Sequence, residues 1–243
     1  MNKFKVNSLE DNNVFIVTKS HKKLVKVFKT LKFEKGKIVH VTGAPGTGKS
    51  TNIFHTVQET NLNVYNAELR LRSGDESSKE VFNKMFECLS NDLKIECRED
   101  SYEKLSEFDA ILIADNFHDS GEFTFSEWVD KVGISAFYFY FLCIIEYLKN
   151  RKHFKNINLI FQTSWKFYLR GKKYDIFTDF GLLSKLVLRI LKMFFVVVEI
   201  SYSQKEIMKI VKMHLKDADE EIIKQHIKKH GHKPRFICHA IEK

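Results

Sequence analysis

One eight-residue segment, Gly43-Ala44-Pro45-Gly46-Thr47-Gly48-Lys49-Ser50, constrains this chain more than any other feature. It matches the pattern G-x-x-x-x-G-K-[ST], with a buried-strand pattern at 37–42 before it and a helical pattern at 49–60 after it. Glycines can adopt backbone angles that turn successive amides toward one point, and the positive end of the following helix also attracts an anion. The segment therefore predicts a phosphate-binding loop between a strand and a helix.

The side chains of this loop predict which ligand it takes. We expect Lys49 to reach the β- and γ-phosphates of a nucleotide and the Ser50 hydroxyl to ligate Mg²⁺. The predicted nucleotide-binding residues are Gly43, Ala44, Pro45, Gly46, Thr47, Gly48, Lys49, Ser50 and Thr51. The chain has no Asn-Lys-x-Asp guanine signature, which favours ATP over GTP. The expected cofactors are ATP and Mg²⁺.

Strand and helix patterns alternate along most of the chain. Strands are predicted at 37–42, 63–67, 110–114, 158–163 and 194–200, with helices between them, and the last 43 residues read as helices alone. Such alternation is typical of a parallel sheet covered on both faces. We predict the α/β fold of a P-loop NTPase, a three-layer sandwich with a five-stranded parallel sheet. Its core would span 1–202 and a small C-terminal helical lid 203–243.

Local signals predict where several helices begin. Capping boxes, in which a side-chain oxygen and a carboxylate satisfy free helix amides, are predicted at 77–80, 124–127 and 203–206, and one of the Asp type at Asp217–Glu220. The box at 124–127 opens a long predicted helix that ends near Lys149. The segment 165–181 reads as a basic and aromatic connection.

A second motif ends the predicted strand 110–114. Asp115 follows this strand directly, and a carboxylate at that position can lie beside the magnesium ion and its waters. Asp109 precedes the strand and would lie at its opposite end. We therefore assign the metal-binding role to Asp115, together with Ser50.

These two motifs resemble those of the AAA+ ATPases and of their initiator, helicase-loader and archaeal STAND-like relatives. The segment 43–50 resembles the Walker A loop of that family, and 111–115 resembles its Walker B strand. The family usually places Glu after the Walker B Asp, as the base that polarises the attacking water. This chain has Asn116 there, and an amide cannot accept a proton, although it can orient water. The resemblance thus implies nucleotide binding with slow hydrolysis.

The same resemblance implies two residues that sense the γ-phosphate. Thr163, with Gln162 as second choice, stands at the strand tip called sensor 1. Arg235, within Gly231-His232-Lys233-Pro234-Arg235, resembles the sensor 2 arginine of a lid helix and can bind phosphate through two nitrogens. Arg189 is a candidate for a trans-acting arginine. Its neighbours Lys185 and Lys192 on the same helix face equally fit a solvated basic surface.

Charge and cysteine content bear on partners and location. The formal net charge is +9, which favours a nucleic acid or nucleoprotein partner. The segment 165–174 interleaves basic and aromatic residues, as nucleic-acid-binding surfaces and ordinary surface connections both do. The four cysteines lack metal-ligand spacing, no signal peptide is evident and the apolar run 134–145 is too short to span a bilayer. We expect a cytoplasmic protein without a membrane partner, and a nucleotide-dependent homo-oligomer is compatible with the resemblance.

Three functions fit these motifs. The first is an AAA+-like ATPase that uses ATP binding and slow hydrolysis to control a nucleic acid or nucleoprotein. The second is a STAND-type switch that binds ATP and signals with little hydrolysis, which Asn116 favours. The third is a P-loop small-molecule kinase, which the scarcity of arginine disfavours because such enzymes clamp the transferred phosphoryl group with several arginines.

Overall fold

The computed structural model describes residues 15–67, 77–95, 98–114, 136–163, 166–169 and 172–243. Within them the strands are, in chain order, β1 (Ile38–Thr42), β2 (Val64–Ala67), β3 (Ala110–Ala114), β4 (Leu159–Thr163), β5 (Lys166–Leu169), β6 (Lys172–Asp175) and β7 (Val196–Glu199). Five of them form one parallel sheet in the order β2-β3-β4-β1-β7. The predicted α/β class and five-stranded parallel sheet are confirmed.

Helices connect these strands and follow the last of them. The described helices are α1 (Lys19–Leu31), α2 (Lys49–Thr60), α3 (Ser78–Leu93), α4 (Arg98–Ser106), α5 (Ala136–Lys149), α6 (Arg151–Phe154), α7 (Leu182–Phe194), α8 (Gln204–His214), α9 (Glu220–His230) and α10 (Pro234–Ile241). None of them is long and apolar enough to cross a membrane.

The sheet separates two hydrophobic cores, one on each face. The first core joins strand residues such as Val39 and Leu112 to α1, α2 and the three C-terminal helices, with Ile237 of α10 fully buried. The second core joins Ile111 and Phe161 to α3, α4 and α5. Side chains alternate between the faces along each strand, which is why buried strands read as continuous apolar runs. The C-terminal helices thus share a core with the helix that follows β1.

The strand order decides what meets at the carboxyl edge of the sheet. Strand β4 lies between β1 and β3, and Gln162 of β4 pairs in register with Val41 on one side and Ala114 on the other. The ends of β1 and β3 therefore lie on either side of the β4 tip. Such an edge is where ligands bind in open parallel sheets.

Two sequence predictions were wrong in detail. The segment predicted as a basic and aromatic connection contains an antiparallel hairpin that was not predicted, with Lys166 paired to Asp175 and Leu169 to Lys172. The helix predicted to be capped by Asp217 is instead capped by Asp219, whose Oδ1 accepts hydrogen bonds from the amides of Glu221 (2.7 Å) and Ile222 (3.3 Å). Glu220 does not close a capping box with Asp217, because its carboxylate pairs with Lys212.

The other capping predictions divide into tested and untested ones. Both Ser77–Glu80 and Ser203–Glu206 form reciprocal capping boxes. Gly231 ends α9 and Pro234 is the first residue of α10, as predicted. The box predicted at 124–127 lies outside the described residues.

The position of the α9 cap can be tested by substitution. Asp219→Ala should lower the free energy of unfolding by about 1 kcal/mol, because two amides of the first turn lose their acceptor. Asp217→Ala is the matched control: this carboxylate is exposed, and its loss should cost less than about 0.5 kcal/mol. Urea denaturation of both variants measures the difference. Equal losses, or a larger loss for Asp217→Ala, would contradict the assignment.

Candidate functional site

The loop between β1 and α2 is built around glycines that no other residue type replaces easily. Gly46 and Gly48 have φ angles of 80° and 74°, in the left-handed region. At Gly43 a larger residue would lack space, since an added Cβ would lie 2.9 Å from the carbonyl oxygen of Ile200. The backbone therefore adopts the strained turns that an anion-binding loop requires.

The helix that follows this loop begins without a cap from its own chain. Gly48 occupies the N-cap position of α2, makes no side-chain hydrogen bond, and no acidic residue lies in the first turn. Helices α3, α8 and α9 all begin with a side-chain cap and at least one acidic residue. Like α7 and α10, α2 thus begins without a side-chain cap or an acidic residue in its first turn, and its positive end can attract an anion.

The lysine of the motif lies inside the loop. Lys49 is only 8% exposed. Its Nζ donates hydrogen bonds to the carbonyl oxygens of Gly43 (2.7 Å) and Ala44 (3.4 Å). The Thr47 hydroxyl donates to the same Ala44 oxygen at 2.7 Å. These contacts hold a positive charge against the loop backbone, where phosphate oxygens can take over as acceptors.

Two side chains that the sequence did not single out support the loop from behind. The Tyr202 hydroxyl donates to the carbonyl oxygen of Thr47 at 2.6 Å. Nδ2 of Asn52 donates to the Tyr202 hydroxyl and to the carbonyl oxygen of Gly48, both at 2.9 Å. Burial raises the pKa of Tyr202 to about 12, so its hydroxyl stays a neutral donor at physiological pH. No linear pattern connects Tyr202 to Thr47, which is 155 residues away.

The start of α10 contacts the same loop from another direction. The backbone amide of Arg235 donates to the carbonyl oxygen of Gly46 at 3.2 Å. The Phe236 ring lies 3.3 Å from the point where a Cβ on Gly46 would stand. The Arg235 side chain is exposed. The fold therefore brings the motif with Arg235 next to the motif with Lys49.

The tip of β4 carries a buried amide on the loop side. Gln162 is 8% exposed, and its Oε1 has no hydrogen-bond partner within the described part of the chain. Its register partner Val41 belongs to the first core, the side on which α2 packs. The backbone of Thr163 pairs in register with that of Thr42. Gln162, the second choice for the sensor 1 position, is thus on the α2 side of the sheet.

The remaining predicted site residues are placed only in part. Ser50 and Thr51 lie half-buried in the first turn of α2. Asp115 and Asn116 lie outside the described residues, directly after Ala114 of β3. Arg189 is exposed on α7, as are Lys185 and Lys192, and its role stays a prediction. No cluster of three or more metal-ligating side chains occurs among the residues that the structure describes.

Comparisons with known proteins return structural neighbours alone. No protein-family model and no curated protein matches. AMPPCP-bound DnaA from Aquifex aeolicus is 17% identical, with a TM-score of 0.41, over 92% of this chain and 61% of that chain. The replication initiator DnaA bound to AMPPCP and single-stranded DNA is also 17% identical, with a TM-score of 0.42, over 94% and 62%. The DnaC helicase loader is 13% identical, with a TM-score of 0.35, over 77% and 94%.

The chain thus spans about three fifths of the length of the two DnaA structures.

Two glycines offer a test of the contact between the loop and α10. Gly46→Ala and Gly231→Ala both force a side chain into positive φ, and each should lower the free energy of unfolding by about 1–3 kcal/mol. A Cβ on Gly46 would also press on Phe236, whereas one on Gly231 meets nothing within 4 Å. Calorimetric titration should show weaker ATP binding by Gly46→Ala and unchanged binding by Gly231→Ala. Wild-type affinity in Gly46→Ala would show that this contact is irrelevant to the ligand.

Proposed function

We propose that this chain binds ATP with Mg²⁺ between the 43–50 loop and α10, as an AAA+-like P-loop ATPase. Binding and slow hydrolysis would control a nucleic acid or nucleoprotein partner. The observation that carries the proposal is the convergence of Lys49, the uncapped start of α2 and the start of α10 on one loop. Each feature favours an anion, and together they fit the phosphates of a nucleotide.

The donor set fits both ATP and its metal. Lys49 would exchange two loop carbonyls for phosphate oxygens, and Arg235 begins a helix that touches Gly46. The Ser50 hydroxyl and the Asp115 carboxylate are the oxygen ligands that Mg²⁺ prefers. When bound, the metal neutralises charge on the phosphates. Residues 203–243 would then act as the lid over a core of 1–202.

Hydrolysis would depend on the tips of β3 and β4. Asn116 can orient a water but cannot take its proton, so turnover should be slow. The buried Gln162 amide, with Thr163 beside it, is proposed to orient the water or the γ-phosphate. Asn116 also supports the second candidate, a nucleotide-gated switch of the STAND type that responds to ATP with almost no turnover.

Exposed positive charge supports a nucleic acid partner. Lys22, Lys23, Lys26 and Lys29 are all exposed on α1, on a chain with net charge +9. Neutralising phosphates with such side chains releases counterions, so log affinity for DNA should fall linearly with log salt concentration.

A second surface fits an oligomer contact. Helix α7 exposes a row of apolar side chains next to its basic row, namely Leu182, Leu183, Leu186, Ile190, Met193 and Phe194. Exposed apolar surface of this extent is typical of protein contacts. A nucleotide-dependent homo-oligomer through this face, with Arg189 acting on a neighbour's nucleotide, is therefore part of the proposal.

Nucleotide binding is tested with two lysine variants. Lys49→Ala should weaken MgATP binding at least about 10-fold, because a charge-assisted hydrogen bond to phosphate contributes about 1.5–3 kcal/mol. Lys22→Ala removes an equal but exposed charge on α1 and should bind MgATP like the wild type. Isothermal titration calorimetry gives both affinities. Unchanged affinity in Lys49→Ala would refute the site.

Steady-state turnover distinguishes an ATPase from a switch. The wild type should hydrolyse ATP slowly, faster with DNA if nucleic acid is its partner, and Asn116→Glu should raise the rate if a base is all that is missing. Phosphate release is measured with and without single- and double-stranded DNA. ATP binding without turnover in any condition would favour the switch, and phosphate transfer to a small acceptor would favour a kinase.

A further inference from the structure

Tyr202 closes a chain of hydrogen bonds behind the phosphate-binding loop. We propose that Tyr202, together with Asn52, is a positioning residue that aims the amides of Gly48 and Lys49 at the phosphates and couples their occupancy to the C-terminal helices. This inference rests on the proposed nucleotide binding.

The geometry of the peptide bond explains how Tyr202 and Asn52 orient the two amides. In a trans peptide the C=O of one residue and the N–H of the next point in opposite directions. The Thr47 oxygen is held by the Tyr202 hydroxyl, and the Gly48 oxygen accepts from both the side-chain Nδ2 and the backbone amide of Asn52, each at 2.9 Å. The N–H groups of Gly48 and Lys49 belong to those same two peptide units. Fixing the two oxygens behind the loop therefore directs these two N–H groups to its other side, toward the start of α2.

The contact is tight and shielded from water. Tyr202 is 7% exposed, Asn52 2% and Thr47 5%. The Tyr202 hydroxyl accepts from Asn52 and donates to Thr47, so both of its roles are used. The Oδ1 of Asn52 has no hydrogen-bond partner among the described residues, so the chain depends on Nδ2 of Asn52 and on the Tyr202 hydroxyl. Losing that central hydroxyl leaves a donor and an acceptor unmatched.

The position of Tyr202 in the chain connects the loop to the C-terminal helices. It lies between the end of β7 and Ser203, which caps α8. The same connector is bonded to the sheet and to α1, since the Ile200 amide donates to the Thr42 oxygen and the Ser20 hydroxyl donates to the Ser201 oxygen, both at 2.8 Å. Tyr202 thus ties the first C-terminal helix to the loop, while Arg235 ties the last. A ligand that tightens the loop should therefore also order these helices, and the coupling is reciprocal.

A pair of tyrosine variants tests the proposal. Tyr202→Phe removes the hydroxyl and keeps the ring. It should weaken binding of both MgATP and inorganic pyrophosphate about 5- to 10-fold, the effect of one lost neutral hydrogen bond. Tyr65→Phe is the matched control: Tyr65 is 4% exposed, and its hydroxyl donates to Asp92 at 3.0 Å in the other core. It should leave both affinities unchanged.

A second readout measures the coupling. In the wild type, MgATP should slow amide hydrogen exchange in α8 and α10. At ligand concentrations that saturate both proteins, Tyr202→Phe should lose that added protection in α8, whereas Tyr65→Phe should keep it. Asn52→Ala combined with Tyr202→Phe should lower affinity by less than the product of the two single effects, since both act on one chain of bonds.

The outcomes separate this inference from the proposed function. If the wild type binds neither MgATP nor pyrophosphate, the proposed function fails. If the wild type binds and Tyr202→Phe binds equally well, Tyr202 has no positioning role. Equal weakening by Tyr202→Phe and Tyr65→Phe would mean general destabilisation and would also overturn the inference. Weaker phosphate binding and lost α8 protection in Tyr202→Phe alone would establish it.

Discussion

The rest of the structure depends on the loop 43–50, whose backbone must keep amides available for a bound ligand. Gly46 and Gly48 allow left-handed turns at little steric cost, but a helix start without a side-chain cap is unfavourable in isolation. The loop's carbonyl oxygens are bonded from outside, by Tyr202 to Thr47 and by the Arg235 amide to Gly46. Both donors come from the last quarter of the chain. The C-terminal part of the chain thus contributes hydrogen bonds that hold the loop.

The order of the strands explains why a short chain can assemble such a site. With β4 between β1 and β3, Gln162 lies between the carboxyl ends of these two strands. The first core then packs α2 and the C-terminal helices on the same face of the sheet. Motifs far apart in sequence converge because they occupy one edge and one face. The contacts around the loop are therefore consequences of topology rather than of local sequence.

Sequence patterns predicted the features that neighbouring residues determine and missed those that tertiary contacts determine. Helix α2 runs from Lys49 to Thr60 as predicted, because the glycine turn and the apolar period define it without help from distant residues. The Asp217–Glu220 pattern predicts a cap at Asp217, but the helix begins at Glu220 and its cap is Asp219. The hairpin of β5 and β6 was missed because its basic and aromatic residues also fit a surface connection. Tyr202 and Asn52 have no signature at all, since their role exists only once β7 lies beside β1.

The most direct measurement is a crystal structure of the protein grown with Mg²⁺ and a non-hydrolysable ATP analogue. The account predicts phosphate density on the amides of Gly48 and Lys49, with the Lys49 amine moved from the Gly43 oxygen to a phosphate oxygen. It also predicts that the Tyr202 bond to Thr47 remains and that the Arg235 side chain turns toward the phosphates. A nucleotide bound elsewhere, or a loop that stays empty at saturating ligand, would contradict the central claim.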